Sequence, residues 1–287
     1  MALRALCLLL VAGLVSAAAR AQTALPVRVD SLEAGIVLPG YWFPVPGRTA
    51  SGPAVVALHG CDGLLDASGR LGAARLRYVR LLREAGIAVL FVESFLPRGQ
   101  RSLCSQKAAA RSITEVHRRL DVYGALKWLA DQPAIDRARV GVIGWSHGGQ
   151  TVLASADGSQ EVAAAAAVKP AALVAFYPGC SGIEKSAGFV AVAPLLVMSG
   201  ASDDWTPAAV CRRWTARLAG RADGKVVEYI EYPDSYHAFD SALPPRVRSD
   251  VGGTRSGMAT VGGNPAARDA SAQALLRFLA THLAGPT

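Results

Sequence analysis

With 287 residues, 51% of them hydrophobic and 18% charged, the chain can bury a large core, which excludes a disordered protein. The formal net charge is +8. The arginines behind it, among them Arg75, Arg77, Arg80, Arg83, Arg118 and Arg119, are spread along expected helices without interleaved aromatic residues, which reads as solvated helix faces and excludes a nucleic-acid surface.

The N-terminus reads as a targeting segment. A short positive start (1–4) precedes an apolar run (5–19), and Ala19-Arg20-Ala21 stands before Gln22. That is the pattern of a secretory signal peptide cleaved near Ala21. The run is too short for a stable membrane anchor. The expected product is a single domain, 22–287, exported to the periplasm or secreted. It retains four cysteines, Cys61, Cys104, Cys180 and Cys211. An even number in an exported chain points to two disulfides. Cys61 and Cys104 fall in loops after neighbouring strands. Cys180 follows a strand, and Cys211 lies on the helix after a loop at the same end. Cys61–Cys104 and Cys180–Cys211 are therefore the expected pairs. With no C-x-x-C pair in the chain, no metal site of the zinc-ribbon kind is expected.

Residues 27–29 and 36–43 read as a leading pair of strands. A buried strand at 54–59 ends in Gly60-Cys61-Asp62-Gly63. A helix follows, carrying Leu71, Tyr78, Leu81 and Leu82 on one face, and stops at Ala85-Gly86. A strand at 87–92 leads into a loop, 93–105. The segment 111–132 has Ile113, Val116, Leu120, Tyr123 and Leu126 at helical spacing and ends before Pro133. A strand at 139–143 precedes Gly144-Trp145-Ser146-His147-Gly148-Gly149, and a helix begins at 150. Strands at 171–177, 194–199 and 226–232 alternate with a helix at 207–219. Residues 241–265, rich in Gly, Pro, Ser and Arg, suggest a mobile loop, and 266–283 is a closing helix. Alternating strands and helices demand an α/β fold with a mostly parallel central sheet and helices on both faces. No G-x-G-x-x-G follows a strand, so no dinucleotide cofactor is expected.

The motif at 144–149 is G-x-S-x-G in a strand–turn–helix context, which holds a serine hydroxyl out at the carboxyl end of a strand. The following helix aims unpaired N–H groups at the same place, so the backbone N–H of His147 is a natural oxyanion donor. A serine nucleophile needs a base, and the base an orienting acid. Such groups sit beyond the carboxyl ends of strands. Two loops qualify, one with Asp203 and Asp204, the other with His237. The order Ser146, Asp203, His237 is that of α/β-hydrolases. Asp204 is the alternative acid, or else a helix N-cap before Pro207.

The motifs Leu58-His59-Gly60, Gly144 to Gly149, Gly200-x-x-Asp203 and Tyr236-His237-Ala238-Phe239 together resemble the dienelactone hydrolase family, across nearly the whole mature chain. The resemblance implies the α/β-hydrolase fold and ester or lactone hydrolysis without a cofactor. Two departures stand out. Dienelactone hydrolases proper use a cysteine nucleophile, here Ser146, and the glutamate of their first catalytic loop is replaced by His59-Gly60-Cys61. Under this reading Ser146 attacks, His237 moves the proton, Asp203 orients the imidazole, and the backbone N–H groups of Cys61 and His147 bind the oxyanion. The family also places a carboxylate-binding arginine near Arg98, which otherwise caps the loop or pairs with Glu93. Trp205 is core or pocket wall. His59 is a structural part of the oxyanion loop, and His117 and His282 are helix-face residues.

The expected function is a serine hydrolase that cleaves small-molecule esters or lactones through an acyl-enzyme. The alternatives are a prolyl-oligopeptidase-like peptidase, a polymer esterase or lipase, and a binding protein on a hydrolase fold. Three intact triad members speak against the last, and the lack of a large N-terminal domain speaks against the peptidase.

Overall fold

The computed structural model describes residues 24–186, 188–219 and 226–285. The segment read as a signal peptide, 1–21, lies outside them.

Eight strands form one sheet: β1 (Leu25–Asp30), β2 (Val37–Phe43), β3 (Gly52–Leu58), β4 (Ala88–Val92), β5 (Ile135–Trp145), β6 (Ala172–Phe176), β7 (Leu195–Gly200) and β8 (Val227–Tyr232). Their order is β1-β2-β4-β3-β5-β6-β7-β8. β1 and β2 are antiparallel additions at one edge, and all pairings from β4 to β8 are parallel. The helices are α1 (Ala73–Glu84), α2 (Glu115–Ala130), α3 (His147–Ala156), the single turn α4 (Glu161–Ala164), α5 (Ala208–Leu218) and α6 (Pro265–His282).

Two-residue alternation divides the strands between two cores. On β3, Ala54, Val56 and Leu58 join a core with Val122 and Leu126 of α2, Val152 of α3 and Trp214 of α5. Val55 and Ala57 face the opposite core, with Tyr78 and Leu82 of α1 and Leu275 and Phe278 of α6. Both faces of the parallel sheet are thereby covered, as its near-continuous apolar strands require. The carboxyl ends of the strands open on a third, small cluster of Cys61, Phe95, Leu103, Cys104 and Ile113.

Both expected disulfides form, Cys61–Cys104 and Cys180–Cys211, with Cα separations of 4.9 and 5.1 Å. They close loops of 43 and 31 residues, worth roughly 3–4 kcal/mol each by loop-closure entropy.

Three expectations need correction. The helix expected over 111–132 starts at Glu115, because Thr114 caps it with its hydroxyl on the Val116 N–H while its own N–H meets His117 Nδ1. Of its expected apolar face, Ile113, Tyr123 and Leu126 are buried, with Val122 and Leu129 beside them, but Val116 is exposed. Arg118 and Asp121 are buried with them, so Arg118 is not on a solvated face. The third correction concerns 241–265. It contains an antiparallel ribbon of β9 (Arg246–Arg248) and β10 (Ala259–Val261). Asp204 fixes this ribbon by accepting the Thr260 N–H at 2.8 Å and hydroxyl at 3.0 Å. The Gly262 N–H adds a bond to the carbonyl of His237 at 2.9 Å.

Candidate active site

β5 ends at Trp145 and α3 begins at His147, so Ser146 alone makes the turn. Its backbone sits at φ 54°, ψ −115°, a conformation L-residues rarely adopt. Two backbone bonds hold it there: its N–H donates to the Phe176 carbonyl on the neighbouring strand, and its carbonyl accepts from the Gln150 N–H in the first turn of α3, both at 2.9 Å. The flanking glycines are obligatory. A Cβ on Gly144 would run into the Gly148 carbonyl, and one on Gly148 into the carbonyl of Leu58.

The turn delivers Ser146 Oγ to 2.9 Å from His237 Nε2. His237 Nδ1 lies 2.8 Å from Asp203 Oδ2. Since the carboxylate can only accept, Nδ1 carries the proton and Nε2 offers its lone pair to the serine hydroxyl. Asp203 Oδ1 accepts the N–H groups of Trp205 and Thr206 at 2.9 and 2.8 Å, and the Thr206 hydroxyl donates to Oδ2 at 2.8 Å. Burial pushes the Asp203 carboxyl up, but His237 and the Thr206 bonds outweigh it and hold it below the usual carboxylate range. The His237 ring is wedged between Tyr177 and Trp205, each 4.8 Å away between ring centres. Trp205 is thus wall to the site.

Two cavities meet at Ser146. The larger, about 260 Å³, contains His237 and is walled by Tyr78, Trp145, Tyr177 and Trp205. The ribbon covers it through Arg246 and Arg248. The smaller, about 190 Å³, lies against His147, Gln150, Ser181 and Arg111. Cys61 and Ser146 line both.

The other candidates fall as follows. Asp204 serves the ribbon and makes no bond to His237. His59 is 1% exposed, with Nδ1 at 2.8 Å from the Gly60 carbonyl and Nε2 accepting the Ser94 N–H at 3.2 Å, so it braces the loop after β3. His117 caps α2, and His282 packs on Phe278.

Arg98 requires a correction. Its guanidinium lines neither cavity. It pairs with Glu33 Oε2 at 2.6 Å and Asp121 Oδ1 at 2.8 Å, and donates to the Ser94 carbonyl. Nor does it pair with Glu93, whose carboxylate accepts the N–H groups of Leu64, Phe95 and Leu96. Asp121 is fully buried. Arg98→Ala is therefore expected to destabilise the fold by about 3–5 kcal/mol, by stranding that carboxylate. Denaturant titration measures the loss. Unchanged stability with a selective defect on carboxylated esters would return Arg98 to a substrate role.

Sequence reasoning missed several site residues. Thr206 braces the acid. Tyr78 and Tyr177 both donate to Asp240, at 2.6 and 2.8 Å, on the wall of the larger cavity. Tyr177 closes β6 at a carboxyl end, which was the available signal. Asp240 carried none, because its partners lie 162 and 63 residues away.

His59 and His147 add a pH dependence. Burial first, and then the charge of Arg118, hold both imidazoles well below the ordinary pKa of 6.5. An unfolded chain takes up these two protons as pH falls through about 6.5, while the folded chain does not. The contribution is therefore full above that pH and is lost below it. Unfolding free energy should fall as the pH is lowered from about 7.5 to about 5.5. Urea titrations at both pH values check this, and equal stabilities would refute it.

A parallel sheet with helices on both faces and a serine, histidine and aspartate meeting at its carboxyl end define a serine hydrolase of the α/β-hydrolase fold. The chain belongs to the dienelactone hydrolase family, whose model matches residues 83–283. No curated protein sequence matches it. Among solved structures, it is similar to a dienelactone hydrolase from Anabaena variabilis, at 17% identity, 91% of this chain, 98% of that one and TM-score 0.62. A dienelactone hydrolase-like promiscuous phosphotriesterase from metagenomic libraries gives 21% identity, 91% and 99% coverage, and TM-score 0.62. A puromycin-hydrolysing peptidase of Mycobacterium tuberculosis gives 18%, 91% and TM-score 0.60, but only 40% of its own length is covered. Identities this low speak for the fold. Among the described residues no helix is long and apolar enough to cross a membrane.

Proposed function

We propose that the chain hydrolyses small carboxylic esters or lactones through an acyl-enzyme on Ser146. The observation that carries this is the hydrogen-bonded series Ser146 Oγ, His237 Nε2, His237 Nδ1, Asp203 Oδ2, at 2.9 and 2.8 Å. Ser146 Oγ attacks the carbonyl carbon as its proton passes to His237 Nε2. The oxyanion is met by the backbone N–H groups of Cys61 and His147. Collapse breaks the bond to the leaving alkoxide, which takes the proton back from His237 Nε2. Water, deprotonated by His237, then attacks the acyl-serine and releases the acid. The leaving group faces His237, so the larger aromatic cavity takes the alcohol portion. The smaller one, which His147 lines and His237 does not, takes a short acyl chain.

The test is turnover of p-nitrophenyl esters of increasing acyl length against the corresponding peptide p-nitroanilides. The proposal expects a burst and steady turnover on short acyl esters. Preference for the amides would move the chain to the peptidase reading, and preference for long chains to a lipase.

We also infer export as one domain starting near Gln22. Two disulfides among the described residues support it, as such bonds persist in oxidising compartments. Intact mass of the protein from a periplasmic or culture fraction tests it. A chain that keeps residues 1–21, or one recovered only from cytoplasm, would refute it.

A further inference from the structure

Arg118 on α2 is fully buried, an expensive place for a guanidinium. It remains cationic at neutral pH although burial lowers its pKa to about 10, and Asp121 and Glu93 offset its charge from a distance. Its nearest polar partners are groups of the reaction site. Nη2 donates to the carbonyl of His59 at 2.9 Å, and Nη1 donates to Nδ1 of His147 at 2.8 Å. The guanidinium has only donors, so His147 must present a lone pair at Nδ1 and is neutral. All three groups pack on Phe95: the His59 ring edge-on at 4.5 Å, the His147 ring at 5.9 Å and the Arg118 guanidinium at 5.0 Å over its face.

These two bonds reach the two segments that carry the oxyanion donors. Cys61 stands two residues after His59 on the loop following β3, and His147 supplies both its side chain to Arg118 and its N–H to the site. We propose that Arg118 is a positioning residue of the oxyanion hole: its planar fork clamps the loop after β3 to the nucleophile turn and so fixes the separation of the Cys61 and His147 N–H groups. The inference rests on the hydrolase reading above. A guanidinium suits the task because its donors diverge in one rigid plane, so two acceptors on different segments are set at once. Lysine keeps the charge as a compact point and cannot hold both in that geometry. The effect is selective for the tetrahedral state, because the oxyanion forms only after attack.

The experiment compares wild type with Arg118→Lys, Arg118→Met and His147→Ala, each shown by thermal melting to be folded at the assay temperature. The expected result is a fall in kcat of about 10²-fold, the usual effect of losing one oxyanion donor, with KM within about twofold. Arg118→Lys should lie between Arg118→Met and wild type. The rate at which a fluorophosphonate labels Ser146 should fall by a similar factor, since its phosphoryl oxygen occupies the same hole. Arg118→Lys combined with His147→Ala should be no slower than the slower single variant, because one clamp can be broken only once. Folded variants with near-normal kcat and labelling would overturn the proposal, and so would a loss expressed mainly in KM or a fully additive double variant. If the Arg118 variants do not fold, normal kcat and labelling in His147→Ala overturns it alone. The two readings fail differently. Wild type that is labelled but cleaves no ester would sink the ester proposal, while the labelling arm still decides on Arg118.

Discussion

Ser146→Ala is expected to lower kcat on short esters on the order of 10⁶-fold, with the folded structure intact. The magnitude follows from the geometry. His237 Nε2 has one candidate proton donor at 2.9 Å, the Ser146 hydroxyl, and no other side chain at the turn can replace it as nucleophile. What remains is water attack aided by binding and the oxyanion N–H groups. The fold survives because the turn is held by backbone bonds from Ser146 to Phe176 and Gln150, which alanine keeps. Ser146→Gly extends the argument. The φ of 54° with ψ −115° stores strain that a residue without Cβ does not feel. The glycine variant should be equally inactive and melt no lower than wild type. Such a pairing would show that the turn is kept strained for chemistry and not for stability. Appreciable ester turnover by either variant would remove Ser146 from the mechanism.

The parts of this site that could be read in the sequence are those whose cause is local. Glycines on either side of Ser146 serve contacts between neighbouring segments, so the motif states its own geometry. The strands β3, β4, β6 and β7 are continuous apolar runs because both faces are covered, and they were recognisable for that reason. The residues misread are those whose environment is set from far along the chain. Arg98 could have faced a substrate or Glu93; Glu33, 65 residues earlier, and Asp121, 23 later, take it instead. Arg118 has the spacing of a surface arginine. Only the convergence of His59, 59 residues before it, and His147, 29 after it, gives it a buried role. The ribbon over the larger cavity has the composition of a mobile loop. Its order comes from Asp204, 56 residues upstream of Thr260, and from the His237 carbonyl. Composition reports what a segment tolerates, and these tertiary bonds decide what it becomes.

The same distance argument separates two adjacent aspartates that sequence order alone could not fully separate. Asp203→Asn is expected to lower kcat by about 10⁴-fold, the effect of holding a catalytic histidine in the wrong tautomer. Asp203 Oδ1 takes two backbone N–H groups, from Trp205 and Thr206, which cannot reorient. An asparagine must therefore place its carbonyl oxygen there and turn its NH₂ toward His237 Nδ1. That forces the histidine proton to Nε2, where it faces the Ser146 hydroxyl and can no longer accept the serine's proton. Asp204→Asn should behave differently. Its carboxylate accepts the Thr260 N–H and hydroxyl on the exposed ribbon, and an amide can accept the first while donating to the second. Its effect should stay within about 0.5 kcal/mol, or roughly twofold in rate. Steady-state kinetics on one short p-nitrophenyl ester, with both variants matched for folded fraction, decides the assignment. A larger loss at Asp204 than at Asp203 would move the acid by one residue and undo the tautomer argument built on the 2.8 Å contact between Asp203 Oδ2 and His237 Nδ1.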